Sequence, residues 1–302
     1  MNILVTGATG FLGSYLIKAL LQKDHNIAIV KRSFSNLSRV GEILHAVKSF
    51  DVDLTSISEI VEQFNPHAVI HLATNYGKNG ASTSEVFNDN IIFPLQIMEN
   101  LQPGTYFINT DTYFNNNNSY KYSYLNSYCL SKKYFLETAQ SYIASKQLVL
   151  INARLEHIYG PLDDPSKFTM NIIRQLYDNQ SPIALTLGEQ RRDFIYVDDV
   201  VSAYLNIIES LPSLSGNYSE FQIGTGDTCS IRHFVELSKE LCASTSELLF
   251  GKLPYRENEI LTSEANISSL VGLGWRPRVD LKEGIIRMVN QLDRQKVVVA
   301  DE

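Results

Sequence analysis

The first thirteen residues constrain this chain more than any other stretch. Ile3-Leu4-Val5 is a short apolar strand, Gly7, Gly10 and Gly13 follow, and Phe11 to Leu21 then carries helical periodicity. Strand, glycine turn and helix in that order predict the start of a βαβ unit whose turn cradles a dinucleotide. Gly7 permits the tight turn, and Gly10 lets backbone N–H groups approach a pyrophosphate at the positive helix N-terminus. Gly13 lets the helix pack close to the strand. Thr9, Phe11 and Leu12 share this segment and count with Gly7 and Gly10 as cofactor-contacting positions. The plain alternative is a tight turn with no ligand.

The alternation continues. Asn26 to Val30 reads as a second strand and ends in Lys31-Arg32-Ser33. An acidic residue there would hold the ribose hydroxyls of NAD, whereas two cations and a hydroxyl suit a 2′-phosphate. NADP(H) is therefore the preferred cofactor and NAD(H) the second choice, with a solvated basic loop as the rival reading. A third strand near Ala46 to Phe50 leads to Asp53 and Leu54; the Asp53 carboxylate suits an adenine amino group or, equally, a helix N-cap. Ile57 to Phe64 is helical, and Ala68 to Ala73 is the fourth strand, with Leu72, Ala73 and Thr74 at its ligand end. His71 reads as a satisfied core histidine. Thr83 to Leu101 reads as one long helix containing Asn90, and Thr105 to Asn109 as a fifth strand ending in Thr110-Asp111-Thr112. Residues 115–127 form an Asn-, Ser- and Tyr-rich loop predicted to overhang the site. Gln147 to Ala153 is the sixth strand.

After Pro161 the pattern is less regular: helices near Lys167 to Tyr177, up to Glu209, from Ser230 and near Leu281 to Leu292, a strand and turn over Phe221 to Gly226, and a loose tail from Lys296. The expected fold is α/β, a Rossmann-type doubly wound parallel sheet with a smaller mixed α/β C-terminal domain. The boundaries are 1–155 for nucleotide binding, with 193–212 returning to it, and 156–302 for substrate.

Tyr128 and Lys132 stand four apart at the start of an apolar-periodic run, so a helix puts phenol and ammonium on one face. A nearby cation favours the phenolate, which predicts a tyrosine pKa pulled below its ordinary value. Such a tyrosine exchanges a proton with a carbonyl or hydroxyl. The net charge of −7 with no basic stripe argues against nucleic acid as a partner. No apolar run of 18 residues predicts a membrane span. The start lacks a leader's charged head and cleavage site, and Cys129, Cys229 and Cys242 have no metal or disulfide spacing. The cytoplasm is the expected compartment, with all three cysteines free and buried.

TGATGFLG, HLAT, the Thr112 strand end, the Tyr128/Lys132 pair and RLEHIYGP together resemble the extended short-chain dehydrogenase/reductase superfamily of nucleotide-sugar epimerases, dehydratases and reductases. FINTDTYF and GEQRRDFIYVDDVVSAYL bring it nearest to the 4-ketoreductases of CDP-linked 3,6-dideoxyhexoses. The resemblance implies a nucleotide-sugar substrate and makes Thr112, Tyr128 and Lys132 the catalytic hydroxyl, tyrosine and lysine, with Thr110 the rival hydroxyl. It implies cofactor contacts from Asn90, Asp53, Leu54 and His157. It implies substrate contacts from Thr112, Tyr113, His157, Lys167 and Phe168, with Arg192 and Arg256 gripping the diphosphate. His157 stands where the wider superfamily has asparagine. Tyr113-Phe114 stand where the 4,6-dehydratases carry an Asp-Glu pair, which argues against water elimination. An epimerase with tightly held NAD and a dinucleotide-sensing regulator remain the rivals. The helices Thr83–Leu101 and Ser127–Ala144, apolar on more than one face, predict a homodimer.

Overall fold

The computed structural model describes residues 1–115 and 125–300, the stretch 295–300 by its backbone alone. The strands β1 (Asn2–Thr6), β2 (Asn26–Lys31), β3 (Lys48–Asp51), β4 (Ala68–His71), β5 (Tyr106–Thr112) and β6 (Val149–Leu155) form one sheet with Tyr218–Ile223. The order is Tyr218–Ile223, β6, β5, β4, β1, β2, β3, and every neighbouring pair is parallel. Strands buried on both faces need near-continuous apolar runs, and Ile3-Leu4-Val5 and Ala68-Val69-Ile70 supply them. The order reverses between β4 and β1, so a ligand crevice opens at their C-terminal ends. This is the doubly wound α/β fold predicted from the sequence.

Helices cover both faces. They are α1 (Phe11–Leu21), α2 (Ile57–Phe64), α3 (Thr83–Phe87), α4 (Phe93–Asn100), α5 (Asn126–Lys146), α6 (Phe168–Tyr177), α7 (Val197–Ser210), α8 (Ile231–Leu241), α9 (Ser268–Gly272) and α10 (Leu281–Ala300). Leu16 and Ile17 of α1, Val200 and Tyr204 of α7 and Leu270 of α9 pack on one face. Ile60 of α2, Ile97 of α4 and Phe135 and Ala139 of α5 pack on the other. A third core joins α6, α8 and α10 through Met170, Phe234 and Met288.

Two predicted helices differ. Thr83–Leu101 is interrupted by a π-helical turn, Asn88–Ile92, which carries Asn90. The last helix runs on to Ala300, across the stretch read as a loose tail. Ser56, not Asp53, caps α2: its hydroxyl accepts from Glu59 N–H while the Glu59 carboxylate accepts from Ser56 N–H. Of the loop expected to overhang the site, residues 116–124 lie outside the described residues. Among the described residues, no helix is long and apolar enough to cross a membrane.

Candidate active site

Thr112 ends β5, and Tyr128 and Lys132 lie in the first turns of α5; all three are buried. The buried face of α5 follows the helical spacing Tyr128, Lys132, Phe135, Ala139, Ile143, so burying the apolar members carries the polar pair to the sheet edge. The Tyr128 phenol faces the Thr112 hydroxyl, which favours its phenolate. The Thr110 hydroxyl lies 2.6 Å from the Tyr204 hydroxyl of α7 instead. That separates the two threonines that the sequence leaves as rivals.

Burial, and not Lys132, dominates the resting Tyr128 phenol, contrary to what the spacing predicts. Lys132 Nζ donates to the Thr110 carbonyl at 2.9 Å, and burial pushes the Tyr128 phenol well above its ordinary pKa, with Tyr76 adding to the rise and the Thr112 bond opposing it. Burial lowers Lys132 itself to about 8, against the pull of Asp111. Taking both groups out of water disfavours whichever form is charged, and here this outweighs proximity on the helix.

Asp111 escaped the sequence reading. Its buried carboxylate accepts from Asn115 Nδ2 (2.8 Å), Asn152 Nδ2 (3.1 Å) and Arg154 Nε (3.2 Å). Arg154 and Asn152 also bond Glu220 on the next strand, so an ion network braces the end of β5. Asn90 works through others: its amide bonds both backbone groups of Asn75 (2.8 Å each) and Ser131 Oγ (2.9 Å), between Tyr128 and Lys132. A π-bulge at such a place is common in functional sites. His71 is only half satisfied: Nδ1 lies 2.8 Å from Thr6 Oγ1, and Nε2 has no partner among the described residues. Cys129 is buried, while Cys229 and Cys242 are half-buried; all are free thiols.

The glycine turn fits a dinucleotide. Gly7 has φ +68°, and a Cβ there would meet the Ala73 nitrogen at 2.5 Å, so the turn lies directly on the Leu72-Ala73-Thr74 segment. A Cβ on Gly13 would meet the Gly7 carbonyl at 2.3 Å. Gly10 caps α1 without a side chain, leaving the first-turn N–H groups around Phe11 and Leu12 for an anion. Beyond the β2 and β4 ends lies a cleft of about 520 Å³ lined by Arg32, Asn75, Ser84, Glu85, Asn88 and Asp89.

The charges at that end differ from expectation. Lys31 is ion-paired with Asp51, so it is not an uncommitted phosphate ligand. Asp53 accepts from Ser33 N–H (2.7 Å) and Ser33 Oγ (2.6 Å). The pairing joins the β2 and β3 ends and holds the Asp53 carboxyl below its usual range, through the Ser33 side-chain bond first. Arg32 and Leu54 are exposed.

On the substrate side, the His157 ring lies 4.1 Å from that of Tyr113; its Nδ1 has no hydrogen bond among the described residues, and burial keeps it neutral. Glu156, next to it, is buried, accepts from Ser263 Oγ at 2.6 Å and is raised to about 7 by burial. Lys167 pairs with Asp163 at 2.9 Å and sits 5.4 Å from the Phe11 ring centroid, while Phe168 is partly exposed beside Phe234. Arg192 is buried and pairs with Glu259 at 2.7 Å, whose N–H donates to the carbonyl of exposed Arg256 at 3.1 Å. Glu259 thus touches Arg192 through its carboxylate and Arg256 through its backbone. Among the described residues, no His, Cys, Asp and Glu group of three or more is arranged for a metal ion.

Comparison with known proteins agrees with this geometry. The NAD dependent epimerase/dehydratase family matches residues 3–224. CDP-abequose synthase of Salmonella typhimurium (strain LT2) is 35% identical over 298 residues, 96% of this chain and 98% of that protein. CDP-abequose synthase of Salmonella muenchen is 32% identical over 293 residues, 96% and 97% of the two chains. UDP-glucose 4-epimerase from Thermotoga maritima, solved with UDP-glucose, shares the fold with a TM-score of 0.83 at 23% identity, covering 98% of this chain and 100% of that one. UDP-glucose 4-epimerase from Thermus thermophilus, solved with NAD, gives 0.79 at 22% identity, covering 97% and 99%. With the glycine turn, the Thr112–Tyr128–Lys132 cluster and a family match over most of its length, this chain belongs to the NAD dependent epimerase/dehydratase family, the extended short-chain dehydrogenase/reductase enzymes.

Proposed function

We propose that this enzyme reduces the 4-keto group of a CDP-linked 3,6-dideoxyhexose or 6-deoxyhexose, with NADPH preferred, as in CDP-abequose formation for O-antigen. One observation carries the reading. The Thr112–Tyr128 hydroxyl pair stands beside buried Lys132 and is followed directly by Tyr113-Phe114, with no carboxylate pair in the position an elimination would use. The likeness to two CDP-abequose synthases supports it.

A bound nicotinamide dinucleotide supplies the hydride. The chain's own residues handle the proton and the geometry. Tyr128 is a protonated phenol at neutral pH, as a general acid must be, and burial makes it hold that proton more tightly than in water. It gives that proton to the developing C4 alkoxide, so a ketone, a hydride and a proton become an alcohol. Thr112 hydrogen-bonds the same oxygen. The Lys132 ammonium, held at the Thr110 carbonyl, stabilises the phenolate that forms. Arg192 and Arg256 grip the diphosphate, with Glu259 between them fixing the first.

The second reading is a 4-epimerase with bound NAD. Its favouring observation is Lys31, which Asp51 neutralises, leaving Arg32 to hold a 2′-phosphate. Incubation with NADPH, then NADH, and a panel of 4-keto sugar nucleotides separates them: the proposal expects cofactor absorbance to fall, fastest with NADPH and a CDP-linked sugar. We also propose a homodimer through α5 and the helical stretch from the π-helical turn into α4, where Tyr134 and Ile92 are exposed. A monomeric mass by light scattering at micromolar concentration contradicts it.

A further inference from the structure

Tyr76 lies in the loop after β4, and its ring centroid is 4.9 Å from that of Tyr128, at an interplanar angle of 40°. It is 41% exposed, although large and aromatic, and the chemistry above leaves it without a task. Its loop is anchored on both sides. Before it, the Asn90 amide holds both backbone groups of Asn75. After it, Lys78 Nζ donates to Ser166 Oγ at 3.2 Å, reaching the segment that precedes α6. The backbone that carries the ring is therefore anchored beside Tyr128.

We propose that Tyr76 is a specificity-determining residue that packs against the deoxygenated edge of the sugar and so favours a 3,6-dideoxyhexose over a 6-deoxyhexose. This rests on the 4-ketoreductase reading. A sugar whose O4 is within hydrogen-bond reach of the Tyr128 hydroxyl presents the carbons next to C4 to the adjoining ring. An aromatic face takes C–H groups well, but a hydroxyl pressed against it loses water and gains no partner. The two nearby cations are already committed: Lys78 Nζ stands 6.0 Å from the Tyr76 centroid and is bonded to Ser166, and Lys167, which Tyr76 also faces, is paired with Asp163. A sugar lacking the C3 hydroxyl escapes that cost.

The test compares kcat/KM for CDP-4-dehydro-3,6-dideoxy-D-glucose and CDP-4-dehydro-6-deoxy-D-glucose in the wild type, Tyr76→Phe and Tyr76→Ala. Thermal unfolding is measured in parallel, to confirm that each variant folds. An apolar pocket rejects an added hydroxyl by up to about 10²-fold, so the wild type should favour the dideoxy sugar about ten- to a hundredfold. Tyr76→Phe should keep that ratio, since the ring remains. Tyr76→Ala should cut it to about threefold or less, chiefly by raising KM for the dideoxy sugar. An unchanged ratio in a folded Tyr76→Ala enzyme, or a wild type that reduces both sugars equally, overturns the Tyr76 assignment and leaves the 4-ketoreductase reading standing. A wild type that reduces neither overturns the reading beneath it.

Discussion

At the end of β5, Thr112, Tyr128 and Lys132 are 5%, 6% and 2% exposed, and an ion network and the Asn90 amide brace the backbone that presents them. At the ends of β2 and β3, Arg32, Ser33 and Asp53 lie at the surface and Lys31 is consumed by Asp51. Both regions belong to one crevice, but only the first is set by packing. A group fixed by a core has few alternatives, so its position and its pKa follow from burial. A group at a solvated edge keeps its charge and loses its exclusivity, because neighbours on the next strand compete for it.

If the contrast holds, damage to the packed end is severe. Tyr128→Phe keeps the ring and deletes the proposed acid; general acid catalysis is worth about 10²–10⁴-fold, so kcat should fall by that order while NADPH affinity, read by fluorescence titration, barely moves. Near-normal turnover would remove the acid role from Tyr128.

Lys132 gives the next effect, read in a pH profile. Burial lowers its pKa from 10.5 to about 8, so the ammonium is present below that pH and lost as pH rises through it. Turnover should fall by about tenfold per pH unit above roughly 8, and Lys132→Met should abolish this limb as well as slowing the enzyme. For stability the sign is opposite: only the unfolded chain stays protonated between about 8 and 10.5, so this group's contribution to stability rises with pH in that window. A flat rate profile up to pH 10 would contradict the assignment.

At the exposed end, Arg32→Asp should cost NADPH about 1–3 kcal/mol in kcat/KM and NADH less. Lys31→Met should cost NADPH less than Arg32→Asp, because Asp51 already holds Lys31. Equal losses with both cofactors would remove the phosphate role from Arg32. The smallest contrast lies within β5. Thr112→Val should slow turnover by the loss of one orienting hydrogen bond, about 1 kcal/mol or roughly fivefold. Thr110→Val should leave kcat near normal and lower stability by about 1–3 kcal/mol, since buried Tyr204 loses its partner. The reverse pattern would exchange the two threonines.

What the sequence made legible follows the same division. The glycine turn could be read because its demand is local: Gly7 and Gly13 sit where any Cβ strikes backbone. The α5 face could be read from its spacing. The choice between Thr110 and Thr112 could not, because it depends on Tyr204, 94 residues away. Lys31 and Asp51 meet across adjacent strands whose register no periodicity reveals. Burial, rather than helical neighbourhood, sets the Tyr128 pKa, and burial of a polar pair is a tertiary property. Tyr76 stands in an irregular loop, where neither helical nor strand spacing gives a side chain a direction.

Isotope transfer reads out net reduction with Tyr128 as the proposed acid. The enzyme is supplied with NADPH carrying deuterium at the transferable C4 position and with CDP-4-dehydro-3,6-dideoxy-D-glucose. Deuterium should appear at C4 of the product sugar with one cofactor oxidised per sugar reduced, and Tyr128→Phe should lose both. Interconversion of C4 epimers of a nucleotide sugar with no net cofactor oxidation would contradict net reduction.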